Sequence, residues 1–142
     1  MPMTRQDIVL LLTARQEAWR RRDPKALAAI HSENCTVDSP IFARISGRAP
    51  IESSYVSLFA SFPDWDHQSG TPVIDGDRFA QYYRATATHA GEFMGLPGSG
   101  RRFEIHGVML CRVADGFVVE ERRLYDFTGL LVQLGVLRVR PA

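Results

Sequence analysis

Two stretches of the C-terminal half decide the fold: HAGEFMGLPGSGRRF at residues 89–103 and RVADGFVVEERRLYDF at residues 112–127. The first ends a strand-like run predicted over residues 79–93, passes through a glycine-rich loop that cannot hold regular structure, and starts a second run. The second carries the turn signal Asp115–Gly116 between two further strand-like runs. Together they predict antiparallel strands at 102–113 and 117–125, joined by a tight turn.

The sequence before these stretches is mostly helical by pattern. Thr4 and Asp7 form a capping-box signal for a first helix, and Asp23 followed by Pro24 signals a second. A third helix is expected from Pro50, before a run of strands and a short terminal helix. Helices clustered ahead of antiparallel strands indicate the α+β class, and we predict one domain over residues 1–142.

The composition narrows the function classes. A net charge of +1 lacks the large positive excess that favours binding to nucleic acid or to an anionic membrane surface. The N-terminus lacks the basic-then-apolar pattern of a signal peptide, and no run reaches the roughly 18 apolar residues of a membrane span. We therefore expect a cytoplasmic protein whose partner is a small molecule and neither nucleic acid nor membrane.

The sequence offers no support for metal, covalent or nucleotide chemistry. Its four histidines include no i, i+4 pair, its two cysteines no C-x-x-C pair, and no G-x-S-x-G elbow is present. The glycines at 95, 98 and 100 precede a strand, whereas a phosphate-binding loop opens a helix. We expect acid–base or electrostatic chemistry in a cavity, without metal or bound cofactor.

The strand at 117–125 alternates charged residues on both faces. Glu121, Arg123 and Tyr125 share one face, because successive side chains of a strand point to opposite sides. Burying an arginine without a partner costs several kcal/mol, so a carboxylate or a ligand anion is expected beside it. The alternative is a ladder of salt bridges at a sheet edge or a dimer contact.

The two stretches resemble the C-terminal hairpin of the SnoaL-like family of polyketide-cyclase-type proteins. His89, Gly91 and Gly95 match that family's His-x-Gly-x-x-x-Gly pattern. The resemblance implies the cone-shaped α+β fold shared with nuclear transport factor 2 and ketosteroid isomerase. In that fold a strongly curved, mostly antiparallel sheet wraps around N-terminal helices and encloses a cavity for a hydrophobic, carbonyl-bearing ligand.

The same resemblance argues against the family's aldol-type mechanism. The cavity-facing aspartate of the cyclases falls on Arg123, and a cavity histidine of the preceding strand falls on Met109. An arginine cannot relay a proton near neutral pH, since its pKa is above about 12. It can still stabilise an enolate or oxyanion, or clamp a carboxylate.

Ketosteroid isomerase offers a second comparison, over residues 35–41 and 46–51. Its catalytic aspartate falls on Ser39, which leaves Asp38 as a substitute if a bulge near Pro40 turns it inward. Its oxyanion-hole positions fall near Arg15 and Met109. Steroid isomerase activity is therefore disfavoured.

We expect the following roles from these comparisons. The catalytic candidates are Arg123 as oxyanion partner, Asp38 or His89 as proton acceptor, and Tyr125 as hydrogen-bond donor. His89 has an alternative interpretation as a turn histidine bonded to backbone. The candidates for substrate contact, some of which can equally be plain core, are Trp19, Phe59, Tyr83, Met109 and Glu121.

The expected protein is a small-molecule enzyme that is not a standard aldol cyclase. The alternatives are a non-catalytic ligand-binding or dimerising module and a polyketide hydroxylase-type protein. If Glu121 neutralises Arg123 and the pair is sealed from solvent, the binding or dimerising module is favoured. An open cavity with unpaired polar groups would instead favour an enzyme. Apolar residues predicted on the outer sheet face, Val108, Leu110 and Val118, predict a homodimer.

Overall fold

The computed structural model describes residues 2–138 and 140. Within that part of the chain, three helices precede or interrupt the first strands and a fourth follows the last strand. The helices are α1 (Arg5–Arg21), α2 (Pro24–Ala29), α3 (Arg48–Ser61) and α4 (Phe127–Gln133). The strands are β1 (His31–Ser39), β2 (Ala43–Ser46), β3 (Asp66–Ser69), β4 (Val73–Asp75), β5 (Arg78–Thr88), β6 (Arg102–Ala114) and β7 (Phe117–Tyr125).

The strands form a curved sheet in the order β2-β1-β7-β6-β5-β3, with β4 added beside β5. The pair β1–β7 is parallel, and the other neighbours are antiparallel. The core lies between this sheet and the helices, where Ile8 and Leu12 of α1 are buried with Val37, Ile105 and Met109 of the sheet. This arrangement confirms the predicted α+β cone with its sheet wrapped around the N-terminal helices.

The first two helices begin where their capping signals predict. The Thr4 hydroxyl oxygen accepts from the Asp7 backbone N–H at 3.1 Å, and the Thr4 backbone N–H donates to the Asp7 carboxylate at 2.8 Å. The Asp23 carboxylate accepts from the Ala26 backbone N–H at 3.0 Å. These bonds satisfy N–H groups that have no partner within a helix, and so fix the start of each helix.

A β-bulge in β7 corrects one expectation about the outer sheet face. Val118 pairs with Val113 and Glu120 pairs with Arg112, so Val119 is an extra residue on β7. The extra residue reverses the alternation of side chains, because a strand has a period of two. Val118 is therefore buried in the core, and the prediction that it lies on the outer face was wrong. Beyond the bulge, the odd-numbered residues of β7 face inward.

The predicted strands need two further corrections. The strand predicted over residues 79–93 ends at Thr88, because the next segment turns away to bond α3: the Ala90 and Gly91 N–H groups both donate to the Ser61 carbonyl oxygen at 3.0 Å. Two short strands, β2 and β4, were not predicted.

No helix among the described residues is long and apolar enough to cross a membrane.

Candidate functional site

A narrow cavity of about 50 Å³ lies between α1, α3 and the inner face of the sheet. Ile41 and Phe42, in the turn between β1 and β2, and Leu130 of α4 complete its wall. Most of the lining is apolar or aromatic. The remaining lining residues are Arg15, Trp19, Ser54, Tyr55, Leu58, Phe62, Trp65, His67, Tyr83, Phe103, Ile105, Met109, Arg123 and Tyr125.

Beneath this cavity the carboxylate of Glu121 is fully buried and shared by three positively polarised groups. Arg123 bonds Glu121 Oε2 through its Nε, and Arg15 approaches the same oxygen through a terminal nitrogen at 3.6 Å. His31 Nε2 lies 2.9 Å from Glu121 Oε1. The guanidinium of Arg123 also donates to the Tyr55 hydroxyl at 2.9 Å. The cluster therefore ties β7 to α1, β1 and α3.

The electrostatic interactions within the cluster keep Glu121, Arg15 and Arg123 charged. Burial opposes ionisation of Glu121, but Arg123, Arg15 and His31 outweigh it and hold its pKa well below the usual range. Burial likewise opposes the charge on Arg15 and Arg123, yet Glu121 raises the pKa of both above that of a free arginine. Nearby opposite charge thus wins over desolvation in each case.

The charges in this cluster do not balance. Two guanidinium groups, those of Arg15 and Arg123, face one carboxylate, that of Glu121. No aspartate or glutamate is among the described residues that line the cavity. The Arg15 residue is 4% exposed and the Arg123 side chain 14% exposed, so water screens the surplus only weakly. The site is electropositive within an apolar wall.

Several N–H donors of the site also have no acceptor. Arg15 Nε and Trp19 Nε1 are buried and find no hydrogen-bond partner among the described residues, and neither does His67 Nε2. A buried donor without an acceptor costs about 1–3 kcal/mol. A ligand that brings acceptor oxygens into the cavity would relieve that cost.

His67 and Arg15 were not among the candidate site residues from the sequence, although the comparison with ketosteroid isomerase set an oxyanion-hole position near Arg15. The His67 ring lies between the rings of Trp19, at a centroid distance of 4.0 Å, and Tyr83, at 4.9 Å. Burial, followed by the charges of Arg15 and Arg123, lowers the pKa of His67 well below the usual range. The signal for Arg15 was its position on the apolar face of α1, where a charged side chain needs a partner.

Five of the nine predicted site residues line the cavity: Trp19, Tyr83, Met109, Arg123 and Tyr125. The Tyr125 hydroxyl oxygen accepts from the Ile41 backbone N–H at 3.3 Å, which fastens the 40–42 turn over the cavity. Burial raises the pKa of both Tyr83 and Tyr125. These phenols therefore stay neutral near physiological pH.

The other four predicted residues do not line the cavity. Asp38 lies on the outer side, where Arg44 Nε donates to its carboxylate at 3.0 Å, because no bulge turns it inward. His89 Nδ1 lies 2.9 Å from the Ser99 hydroxyl, in the loop that follows β5, so its ring bonds a side chain and not the backbone that the turn-histidine alternative expected. Phe59 packs against Trp19 and Tyr55, and Glu121 lies below the floor.

Comparison with known sequences places the chain in a family. Residues 9–134 match the SnoaL-like polyketide cyclase family. The chain belongs to the SnoaL-like polyketide cyclase family. A shorter alignment of 47 residues, at 43% identity, joins it to the nogalonic acid methyl ester cyclase of Streptomyces nogalater and covers 33% of this chain. That match spans about a third, 35%, of the relative's length.

Solved structures agree with this SnoaL-like assignment. AclR, a proposed hydroxylase from Streptomyces galilaeus, is 30% identical with a TM-score of 0.83, over 97% of this chain and 91% of AclR. IdmH, a proposed polyketide cyclase from Streptomyces antibioticus, is 28% identical with a TM-score of 0.74, over 90% of this chain and 98% of IdmH. Among the residues that the structure describes, no group of three metal-binding side chains converges.

Replacing Glu121 by glutamine tests the buried cluster. The amide leaves two buried guanidinium groups without a carboxylate, so we expect Glu121→Gln to lose about 3–5 kcal/mol of unfolding free energy in urea titrations at neutral pH. The exposed neighbour provides a matched control, Glu120→Gln, which we expect to stay close to the wild type. Equal stability of the two variants would contradict the role given to Glu121.

The same pair of variants predicts a pH dependence. Because the pKa of Glu121 is lowered by folding, its contribution is fully present above the unfolded-state pKa of about 4.3 and is lost as the pH falls towards the native value. The wild type should therefore lose stability more steeply than Glu121→Gln as the pH falls below about 4.3. Parallel curves for the two proteins would show that Glu121 is not the acid-sensitive group.

Proposed function

We propose that this SnoaL-like protein binds a hydrophobic, carbonyl-bearing, polyketide-like ligand in the cone cavity and promotes its reaction without metal or bound cofactor. The surplus of one buried guanidinium over the Glu121 carboxylate supports this proposal most strongly. The ligand would meet Arg123 through an oxygen that carries negative charge, as an enolate, phenolate or carboxylate does. Catalysis would then be stabilisation of charge that develops on that oxygen.

The lining supports a flat, apolar ligand with acceptor oxygens. Aromatic residues of α1, α3 and the sheet supply ring faces, as in the edge-to-face contact of Trp19 and Tyr55 at 5.4 Å. In such a wall a charge interaction is worth more than in water, because few solvent dipoles screen it. The unpaired N–H groups of Arg15, Trp19 and His67 add donors for ligand oxygens.

A standard aldol cyclase mechanism is not proposed. Arg123 faces the cavity where the resemblance sets the cyclases' aspartate, and no carboxylic acid is found among the described lining residues. Asp38 and His89, the proton acceptors expected from the sequence, lie elsewhere. The proposed reaction therefore depends on charge stabilisation, with proton transfer to solvent or within the ligand.

Two alternatives have particular support. The ion pair between Arg123 and Glu121, largely sealed from solvent, favours a module that binds a ligand without converting it. The identity of 30% with AclR over nearly the whole chain favours a hydroxylase-type reaction on a similar ligand.

Binding of 4-nitrophenol, whose phenolate is yellow, tests the charge preference of the cavity. A cavity with surplus positive charge should lower the pKa of the bound phenol by about one unit or more, because an opposite charge within a few ångströms favours the ionised form. Absorbance titrations of the phenol with and without protein measure the shift. We expect Arg123→Met to remove most of it and to weaken phenolate binding about tenfold.

Arg122 provides the matched control for that experiment. It is the next residue of β7, it is exposed, and it faces the opposite side of the sheet. Arg122→Met removes the same charge from the protein but not from the cavity, so the pKa shift of the bound phenol should persist. A shift that disappears equally in both variants would reflect net charge alone and would refute the assignment of Arg123.

Exchange of the α-protons of 2-tetralone in D₂O separates the enzyme from the binding module. This bicyclic ketone has the apolar body and carbonyl oxygen that the cavity favours. An enzyme that stabilises an enolate should speed the exchange seen by NMR, and Arg123→Met should abolish the acceleration. Saturable binding of 2-tetralone without faster exchange would favour the non-catalytic module.

A homodimer is proposed through the outer face of the sheet. Leu110 is 42% exposed and Leu124 53% exposed on neighbouring strands, and such apolar side chains favour burial against a second copy. We expect light scattering at micromolar concentration to give the dimer mass for the wild type and a monomer mass for Leu124→Glu. A monomeric wild type would refute the dimer.

A further inference from the structure

His67 is the one histidine lining the cavity among the described residues, and its position is closely defined. It lies on β3, is 6% exposed, and stacks almost parallel to Trp19, at an interplanar angle of 2°. Tyr83 covers its other face at an interplanar angle of 19°. Two aromatic faces thus hold the imidazole plane, so its ring nitrogens act only within that plane.

The neighbour of its Nδ1 determines which nitrogen carries the proton. Trp65 Nε1 lies 3.4 Å from His67 Nδ1, and an indole N–H can only donate. Nδ1 is therefore the acceptor, and in the neutral ring the proton is on Nε2. That Nε2–H is buried and has no hydrogen-bond partner among the residues that the structure describes.

The surroundings also disfavour an imidazolium. Arg15 and Arg123 are the cations near the ring, and their positive charges outweigh the opposing influence of Glu121. Trp65, Trp19 and Tyr83 bring no negative charge to it at neutral pH. A neutral imidazole with its proton on Nε2 can donate a hydrogen bond but cannot accept a proton at that nitrogen.

We propose that His67 Nε2–H binds a neutral carbonyl oxygen of the ligand, at a point separate from the charged oxygen bound by Arg123. This inference rests on the proposed function and narrows its ligand class. The ligand has two oxygens of different character, one acidic and one ketonic, as in a 1,3-dicarbonyl compound or a hydroxyketone. His67 would select for the ketone and would not act as the proton acceptor.

The cost of leaving a buried donor unpaired would make the site prefer ligands that carry the ketone over ligands that lack it. A ligand without the ketone would leave Nε2–H buried and unpaired, which disfavours that ligand relative to the ketone. We therefore expect 6-hydroxy-2-tetralone, which carries a phenol and a ketone, to bind about tenfold more tightly than 5,6,7,8-tetrahydro-2-naphthol, the same phenol without the ketone. In His67→Phe, which keeps an aromatic ring between Trp19 and Tyr83, that preference should disappear.

Infrared difference spectra of carbonyl-labelled 6-hydroxy-2-tetralone test the contact itself. A hydrogen bond from His67 should lower the carbonyl stretching frequency of the bound ketone in the wild type, and His67→Phe should return it towards the value in an apolar solvent. His106→Phe is the matched control, because His106 is exposed on the opposite sheet face and bonds Glu104. It should leave the frequency unchanged.

The outcomes separate this inference from the one on which it rests. If 6-hydroxy-2-tetralone binds, and if its carbonyl frequency is the same in the wild type and in His67→Phe, the role of His67 is refuted while the proposed function stands. If neither 6-hydroxy-2-tetralone nor 4-nitrophenol binds the wild type, both are refuted.

A second measurement needs no substitution at His67. Nitrogen-15 NMR of the wild-type imidazoles should show His67 at pH 7 with a protonated Nε2 and an acceptor Nδ1, and Trp65→Phe should weaken that preference because it removes the donor. The opposite tautomer or an imidazolium in the wild type would overturn the proposal, whatever the folding of His67→Phe.

Discussion

The buried carboxylate of Glu121 is the interaction on which the rest of the structure depends. Arg15 of α1, His31 of β1 and Arg123 of β7 all converge on it, and Arg123 continues to Tyr55 of α3. A carboxylate taken out of water needs such partners, since its desolvation penalty amounts to several kcal/mol. The β7 bulge is what brings it inward, because the extra residue there sets which side chains of the strand face the helices. Fold and site are thus coupled through one side chain.

This dependence explains how a SnoaL-like cone can carry a buried arginine on β7. The arginine is not isolated: Glu121, two residues earlier on the same face, makes its burial tolerable. Yet Arg15 shares the same carboxylate, so neutralisation is incomplete. A site arranged in this way is poorly suited to moving a proton at Arg123 and well suited to holding an anion.

The size of the cavity adds a constraint on dynamics. About 50 Å³ is far below the roughly 300–1,000 Å³ of pockets that enclose drug-sized ligands. A polyketide-like ring therefore requires movement of part of the wall. The 40–42 turn is suited to this, because it adds Ile41 and Phe42 to the lining and is followed by Ala43 at a φ of 52°. The Tyr125 hydroxyl holds the turn through one hydrogen bond, from the Ile41 backbone N–H at 3.3 Å.

Much of this could be predicted from the sequence, and the exceptions have physical causes. Capping signals, the Asp-Gly turn and the grouping of elements predicted the starts of the first two helices, the hairpin and the α+β class, since these depend on local chemistry. The third helix begins at Arg48, two residues before the predicted Pro50. Strand alternation correctly grouped Glu121, Arg123 and Tyr125 on one face. The bulge at Val119 carries no composition signal, so Val118 was assigned to the wrong face. His67 could not be recognised as a cavity residue from the sequence, because the residues that its ring contacts, Trp19 and Tyr83, are distant from it in the chain.

The surplus positive charge of the cavity leads us to propose that it takes its ligand as an anion. Calorimetric titration with 4-nitrophenol, at a pH where the free phenol is mainly protonated, measures this directly when it is repeated in buffers of different ionisation enthalpy. Binding of the ligand as an anion predicts release of about half a proton or more for each phenol bound, because the pKa of the phenol falls by about one unit or more. Binding with no proton released would contradict it, since the site would then hold the neutral phenol.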